Sequence, residues 1–197
     1  AGSIRAFDHV GTILFNMVVD PTSGKLFVTN TELPNHVRFE GPGVHGGSTV
    51  QGHLSESRIT VIDPASGTVS AKHLNRHIDY TQLHTDPDNQ IDPDQITHSL
   101  ATPLQPIISS DGATMYVAAF GSATIGVFPV SSIDDPEFET QFDPTAESAG
   151  YIRTAGGPSG LVLDETNNRL YVMTRFDNAV QVINTATKAT LASHALH

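Results

Sequence analysis

One pattern occurs three times along this sequence, and it constrains the fold more than any other feature. The pattern is clearest in GPSGLVLDETNNRLYVMTRFDNAVQVINTATKAT, the stretch Gly157–Thr190. Short runs in which apolar and polar residues alternate predict strands, and the segments between them are rich in Gly, Asn, Asp or Ser, which favour tight turns. Pro158–Ala186 can be placed over Pro103–Ser131 without a gap, and placing Val162 over Val18 adds a third copy. We name this superposition of the copies the repeat alignment, and it predicts a repeated sheet unit.

Each copy predicts a four-stranded antiparallel meander, whose strands are named a to d in chain order. The third strands are AVQVIN, TIGVFP and RITVID, and a turn and a fourth strand follow the first and the last of these. The units are placed at about residues 10–74, 100–155 and 156–197, in one domain spanning residues 1–197. Short turns and almost no helix are expected inside the units. The predicted fold class is therefore all-β, because sheets of this size that repeat in sequence pack face to face around an axis as β-propeller blades.

The alternation also predicts which side chains form the core. Apolar positions that recur in the copies are expected to be buried between the sheets. They are Val18, Leu26, Val28, Ile59, Val61, Ile107, Val117, Val127, Leu161, Leu163, Leu170, Val172, Val180 and Val182.

The last copy resembles the repeat of the YVTN β-propellers, in which a Pro-x-Gly strand, a Leu-Tyr-Val strand and a Val-x-Val-Ile-Asp strand follow one another. LFVTN at Leu26–Asn30 is similar to the same repeat. VRFEGPG, GHLSESRITVIDP and LYVMTRFDNAV also resemble segments of large bacterial exported proteins that carry such a propeller beside a c-type cytochrome domain. In those proteins CxxCH haem motifs follow the propeller. This chain contains no Cys, so the resemblance implies haem c only in an adjoining domain that is not present in this chain.

Three units are fewer than the four to eight blades of a closed propeller. Remaining blades or a second chain are therefore expected to complete the ring and cover the outer sheet faces. SIRAF, at Ser3–Phe7, is interpreted as the last strand of a preceding blade. The N-terminus AGSIRAFDHV lacks the regions of a signal peptide, which indicates either a removed leader or an internal piece of a longer chain.

Composition excludes several classes of partner. The formal net charge is −11, which argues against nucleic acid and favours cationic partners, or solubility alone. No apolar run approaches the roughly 18–20 residues of a membrane helix, so no membrane span is expected. The absence of Cys excludes disulfides and thiolate metal sites within the chain. Few Lys and many Thr, Ser, Gly and Asp residues suggest an exported protein, periplasmic or extracellular.

Two long insertions are expected to mark the functional face. Residues 31–57 connect strands b and c of the first unit, and residues 75–102 lead from its strand d to the next unit. Antiparallel order places both on the same rim, where they should pack against each other and hold binding residues. The candidate ligand or partner residues are His36, Arg38, His53, His77, Arg175 and Phe176. The alternative interpretation for Arg38, Arg175 and Phe176 is that they only tie the insertions down, and for the histidines it is that exposed loops of polar proteins often carry His.

The segment DPDNQIDPD is the candidate cation site. Asp86, Asp88, Asp92 and Asp94 could supply several carboxylate oxygens to one Ca²⁺, although the segment lacks the Gly and the distal Glu of an EF-hand loop. The alternative interpretation is a solvated acidic loop. No GxSxG, HExxH or CxxC motif is present, and no catalytic residue is assigned.

Three functions are compatible with these features. The first is a non-catalytic propeller module of a larger exported protein, a docking platform beside a c-type cytochrome electron-transfer domain. The second is a metal-dependent propeller enzyme, a hydrolase or an oxidoreductase, that uses His and Asp residues of the rim. The third is a stand-alone oligomeric binding protein.

Overall fold

The computed structural model describes residues 4–33, 44–45, 48–49, 54–78 and 93–196, with the backbone alone at 44–45, 48–49 and 93–94. In chain order the strands are β1 (Ile13–Val19), β2 (Leu26–Glu32), β3 (Val44–His45), β4 (Ser48–Thr49), β5 (Glu56–Ile62), β6 (Val69–His73), β7 (Pro103–Ile108), β8 (Thr114–Ala119), β9 (Thr124–Pro129), β10 (Ile152–Arg153), β11 (Pro158–Asp164), β12 (Arg169–Thr174), β13 (Ala179–Asn184) and β14 (Thr190–Ala195). The α-helices are α1 (Pro93–His98), α2 (Val130–Ile133), α3 (Phe138–Gln141) and α4 (Pro144–Glu147), and 3-10 turns lie at Phe120–Ser122 and Ser148–Gly150.

The strands form three antiparallel four-stranded sheets, which confirms the all-β fold class. The first sheet has the order β1-β2-β5-β6, the second β7-β8-β9-β10 and the third β11-β12-β13-β14; β3 and β4 form a separate hairpin. Strand a of the second sheet, β7, contacts strand a of both other sheets. The three sheets are thus arranged side by side about their first strands, and they do not close into a ring.

The strand register reproduces the repeat alignment. Val18 pairs with Phe27, Ile107 with Tyr116, and Val162 with Tyr171, and the alignment superimposes these three pairs. Each first strand also carries an irregularity near its start, at Leu14/Asn16, Pro103/Pro106 and Pro158/Gly160. Strands a to c of the three sheets are therefore equivalent position by position, and a residue there can be compared directly with its counterpart in another sheet.

The turns close as the sequence predicts, because an Asp or Asn side chain caps the backbone that follows it. Asp20 Oδ1 accepts a hydrogen bond from the Thr22 amide at 3.0 Å, and Asp63 Oδ1 accepts one from the Ala65 amide at 2.8 Å. Both turns end at a glycine with positive φ, +74° at Gly24. These turns define the turn rim, the end of each sheet where the a–b connections leave.

The expectation of short turns and almost no helix is wrong for the second unit. Residues 130–150, which we name the helical insertion, connect strand c to a strand d of only two residues and contain α2, α3 and α4. The segment lacks period-2 alternation, and its Asp143 caps α4 by accepting a hydrogen bond from the Thr145 amide at 2.9 Å. The insertion starts at the turn rim and ends at the opposite end of the sheet, so it replaces most of the fourth strand.

The helical insertion packs against the first sheet. Phe138 is buried and stacks on Phe142 at a centroid distance of 4.4 Å. Lys72 of β6 is only 2% exposed; its Nζ donates to the Asp135 carbonyl oxygen at 2.7 Å and lies 5.7 Å from the centre of the Phe138 ring. Burial lowers the pKa of Lys72. On the turn rim, Lys25 forms an ion pair with Asp134 at 2.7 Å.

The core consists of two layers, one between each pair of neighbouring sheets. Of the predicted core residues, seven are buried: Val28, Ile59, Val61, Val117, Leu161, Leu170 and Val172. Four are partly buried against these layers: Val18, Ile107, Val127 and Leu163. Leu26, Val180 and Val182 are only half-buried, because they lie on the outer faces of the first and third sheets, against which no other sheet packs in the part of the chain that the structure describes.

The described part of SIRAF, Ile4–Phe7, does not form a strand in this structure. It begins a segment that crosses the outer face of the first sheet: Arg5 donates to the Pro64 carbonyl oxygen at 2.7 Å, and the Thr60 hydroxyl donates to the Val10 carbonyl oxygen at 2.6 Å. Among the described residues, no helix is long and apolar enough to cross a bilayer.

Candidate functional site

The end of the sheets opposite the turn rim carries the candidate site. Here β2 ends at Glu32, β5 begins at Glu56, and the crossover after β6 leaves towards the second sheet. We name this end the loop rim. The topology agrees with the sequence prediction that b–c connections and d–a crossovers emerge on one side.

A histidine cluster joins the crossover to the helical insertion at the loop rim. His77 Nε2 lies 2.9 Å from the Gln95 carbonyl oxygen and 3.1 Å from Ser99 Oγ. The contact with a carbonyl oxygen assigns the proton to Nε2, so this nitrogen donates. The His98 ring lies edge-on to His77 at 6.0 Å, and His98 Nδ1 is 2.5 Å from Ser148 Oγ. His77 is predicted from its place in the insertion, whereas Ser148 belongs to a segment that the sequence does not mark.

The pKa of His77 is lowered, first by burial and then by the nearby His98, while the Gln95 contact and Asp143 act in the opposite direction. His77 in the folded protein therefore binds a proton only at a lower pH than in the unfolded chain, where its pKa is near the ordinary value of 6.5. Stability is fully present above that pH and is lost as the pH falls below it.

We expect the substitution His77→Gln to weaken this loss of stability. The free energy of unfolding should be measured by urea denaturation from pH 7.5 to 5.5, and its decline should be shallower in the variant than in the wild type. His194→Gln, at an exposed position of β14, is the matched control and should leave the decline unchanged. Equal declines in the wild type and His77→Gln would show that another group causes the acid sensitivity.

Further contacts fix the crossover to the loop rim. Asn75 and Leu100 exchange two hydrogen bonds, Nδ2 to carbonyl at 2.9 Å and amide to Oδ1 at 2.8 Å. Arg153 of β10 donates to the Thr97 carbonyl oxygen of α1 and, at 2.8 Å, to Thr124 Oγ1. The end of the crossover is thus held from both neighbouring sheets, which gives this surface a defined shape.

Two aromatic rings lie on the loop rim at the second and third sheets. Phe176, in the b–c loop RFDN, is 73% exposed and packs on Phe120 with ring centroids 4.9 Å apart. Gly157 passes directly beneath the pair; a Cβ there would lie 2.9 Å from Phe120 Cε2. The sequence predicts Phe176 and its neighbour Arg175, which is also exposed. Phe120 is not among the predicted residues, although it occupies the position of Arg175 when the copies are superimposed in the repeat alignment.

The helical insertion makes part of this surface acidic. Residues 130–150 contain six acidic residues and no Lys or Arg. Asp134 lies at the turn rim, where it pairs with Lys25, and Glu139 pairs with Arg76 at 2.9 Å. Glu137, Asp143 and Glu147 are exposed, and Glu147 adjoins Ser148 of the histidine cluster. The cluster is therefore bordered by carboxylates that attract a cationic surface.

The other predicted site residues lie outside the described part of the chain: His36, Arg38 and His53, and Asp86, Asp88 and Asp92 of the cation site. Only the backbone of Asp94 is described, on α1. The predicted packing of residues 31–57 against 75–102 falls largely on the same segments. Within the described residues, no group of three His, Asp or Glu side chains could hold a metal ion.

The calcium site stays a prediction. Four carboxylates within nine residues repel one another, so a bound cation should stabilise the crossover and raise the melting temperature by mass action. The melting curve in millimolar Ca²⁺ should lie above that in EDTA, and Asp88→Asn combined with Asp92→Asn should remove the difference. Identical curves for the wild type would identify a solvated acidic loop.

Comparison with known proteins supports the fold. Neither a protein-family model nor a curated protein sequence matches the chain, so the YVTN resemblance rests on the residues quoted above. Kuenenia stuttgartiensis hydrazine synthase is similar over 90% of this chain and 47% of its own, with a TM-score of 0.62 and 17% identity. The WD40 repeats of RRP9 match 98% of this chain and 41% of theirs, with a TM-score of 0.55 and 14% identity.

A third solved structure, the periplasmic gluconolactonase PpgL of Pseudomonas aeruginosa, matches 92% of this chain and 42% of its own, with a TM-score of 0.51 and 15% identity. At these identities the similarity shows the fold alone. The chain spans less than half the length of each of these three structures. The three sheets are accordingly three blades of a partial β-propeller.

Proposed function

We propose that this chain is a non-catalytic propeller module of a larger exported protein and that its loop rim docks a cationic c-type cytochrome domain. The observation that carries the proposal is the ordered acidic surface around the histidine cluster. There, the crossover is joined to the helical insertion by the His98–Ser148 contact and to β10 by the Arg153–Thr97 contact, although chain connectivity alone requires neither the crossover nor the insertion to be long.

Four further features support this role. The net charge of −11 suits a partner whose surface is cationic. The exposed Phe176 offers an aromatic anchor of the kind that dominates binding energy at interfaces. The sequence likeness to exported proteins with a cytochrome domain supports the identity of the partner, and the periplasmic source named for PpgL agrees with an exported propeller.

A binding measurement tests the proposal. A small cationic c-type cytochrome should bind the chain in isothermal titration calorimetry at low salt, and its lysine-acetylated form should bind much more weakly. Glu147→Lys should reduce the affinity by roughly tenfold, because it replaces attraction by repulsion at the contact. Glu165→Lys, which makes the same change on the turn rim, should have little effect. Equal losses in both variants would show nonspecific charge attraction, and no binding of either cytochrome form would contradict the proposal.

A second candidate is a hydrolase, and one observation favours it. Ser148 Oγ and His98 Nδ1 lie within hydrogen-bonding distance, which is the geometry of a hydroxyl nucleophile beside a general base. If this pair acts chemically, Ser148→Ala should abolish hydrolysis of lactone or ester substrates, while Ser132→Ala in the same insertion should not. The absence of turnover by the wild type would remove this candidate.

A further inference from the structure

The outer face of the third sheet is apolar and has no neighbouring sheet among the described residues. Val162 is 65% exposed and Met173 is 43% exposed. Tyr171, Val180 and Val182 lie on the same face and are half-buried. In the strand register Tyr171 pairs with both Val162 and Val182, so these side chains form one continuous patch across three strands.

This patch repeats the residues by which the second sheet binds the third. In the repeat alignment the residues of the patch correspond to residues of the second sheet that lie in the core layer between the second and third sheets. The corresponding residues are Ile107, Tyr116, Ala118, Ile125 and Val127. The third sheet therefore presents outward the side-chain pattern that already forms an interface inside the molecule.

The outer face of the first sheet repeats the other half of that interface. In the repeat alignment, the outward residues Met17, Val19, Leu26 and Val28 correspond to residues of the third sheet that pack against the second. Those counterparts are Leu161, Leu163, Leu170 and Val172. The outer face of the third sheet thus corresponds to the packed face of the second sheet, and the outer face of the first sheet corresponds to the packed face of the third.

We infer that the outer face of the third sheet binds the outer face of the first sheet of a second copy of this chain. The pairing is head-to-tail, and two copies with two such contacts would form a closed six-bladed ring. The favoured occupant is a second copy because both halves of a known blade interface are present on this one chain. The inference rests on the sheet repeat and not on the proposed cytochrome contact.

The segment Ile4–Val10 makes a specific demand on this pairing. Its Val10 carbonyl oxygen accepts a hydrogen bond from the Thr60 hydroxyl. In the strand register Thr60 corresponds to Gln181 of the third sheet, whose side chain accepts a hydrogen bond from the Ala155 amide, just after β10 of the second sheet. The segment therefore lies where the fourth strand of a neighbouring sheet runs. The third sheet of a second copy brings its own fourth strand, β14, so Ile4–Val10 must move aside when the copies pair.

Light scattering coupled to size-exclusion chromatography tests the inference. At about 100 µM the chain should have twice its mass of 21.0 kDa, and deletion of residues 1–9 should strengthen the association. Val162→Asp and Met17→Asp, on opposite outer faces, should each weaken it by at least about tenfold. Both positions are exposed, so the variants should keep the wild-type near-ultraviolet circular dichroism.

Mixing the two variants provides the decisive result. In a head-to-tail pair, a Val162→Asp copy and a Met17→Asp copy retain one intact contact, so the mixture should associate better than either variant alone. A monomer at every concentration would overturn the inference. So would a dimer that only Val162→Asp disrupts, since that indicates two third sheets face to face, and so would a dimer that the deletion leaves unchanged. None of these results affects the cytochrome titration, because that proposal concerns the loop rim.

Discussion

Val172→Asp should abolish folding of the chain. Val172 is fully buried in the layer between the second and third sheets, and its outward-facing strand neighbour Met173 cannot take its place. A carboxylate at this position would be desolvated without a partner, which costs several kcal/mol, comparable to the whole stability of many domains. The variant should lose the β-sheet circular dichroism of the wild type or become insoluble.

Val162→Asp is the matched control for this prediction. It makes the same chemical change in the same sheet, but at a position that is 65% exposed. Exposed substitutions usually change stability by about 0.5 kcal/mol or less, so at a protein concentration at which the wild type is monomeric this variant should unfold at nearly the wild-type urea concentration. A soluble Val172→Asp protein with wild-type stability would show that β12 does not pack against the second sheet.

Phe138→Ala should destabilise the protein by about 3–5 kcal/mol, the usual cost of truncating a buried phenylalanine. Phe138 is 1% exposed, stacks on Phe142 and lies beside the Lys72 ammonium group. Its removal would leave a cavity and weaken the attachment of the helical insertion to the first sheet. Urea denaturation should give the loss of stability, and hydrogen exchange should show faster exchange at the His73 amide, which donates to Glu139.

Thr140→Ala, at an exposed position of α3, is the control and should cost much less. If Phe138→Ala unfolds like the control, the insertion contributes little to the core. If stability falls but exchange at His73 does not change, the insertion stays attached through Lys72 and Glu139 instead.

The sheets could be predicted from the sequence because each copy carries its own register. The pairs Val18–Phe27 and Val162–Tyr171 follow directly from the alternation and the turns. The helical insertion could not be predicted in the same way. Its buried residues, such as Ile133 and Phe138, follow neither the strand period nor the repeat, and the first sheet that they contact lies far away in the sequence.

The difference between repeated and non-repeated segments also explains which residues of the candidate site could be predicted. His77 could be identified because the length of its insertion signals a functional rim, and Phe176 because its b–c loop leaves the third sheet on the same rim. His98 stands out only as one of six histidines in the insertions, since its partner Ser148 comes from the helical insertion 50 residues later. Contacts between two non-repeated segments leave no periodic signal in one sequence.

The burial of Lys72 also determines how the protein can be attached to a surface. The chain has three lysines, Lys25, Lys72 and Lys188. Lys72 is enclosed, and Lys25 is bound to Asp134, which raises its pKa and keeps the amine protonated. Apart from the N-terminal amine, acylating reagents at neutral pH should therefore react fastest with Lys188, the most exposed of the three lysines, in the turn before β14. Because that turn lies at the opposite end of the third sheet from Phe176, coupling through Lys188 orients the loop rim towards the solution.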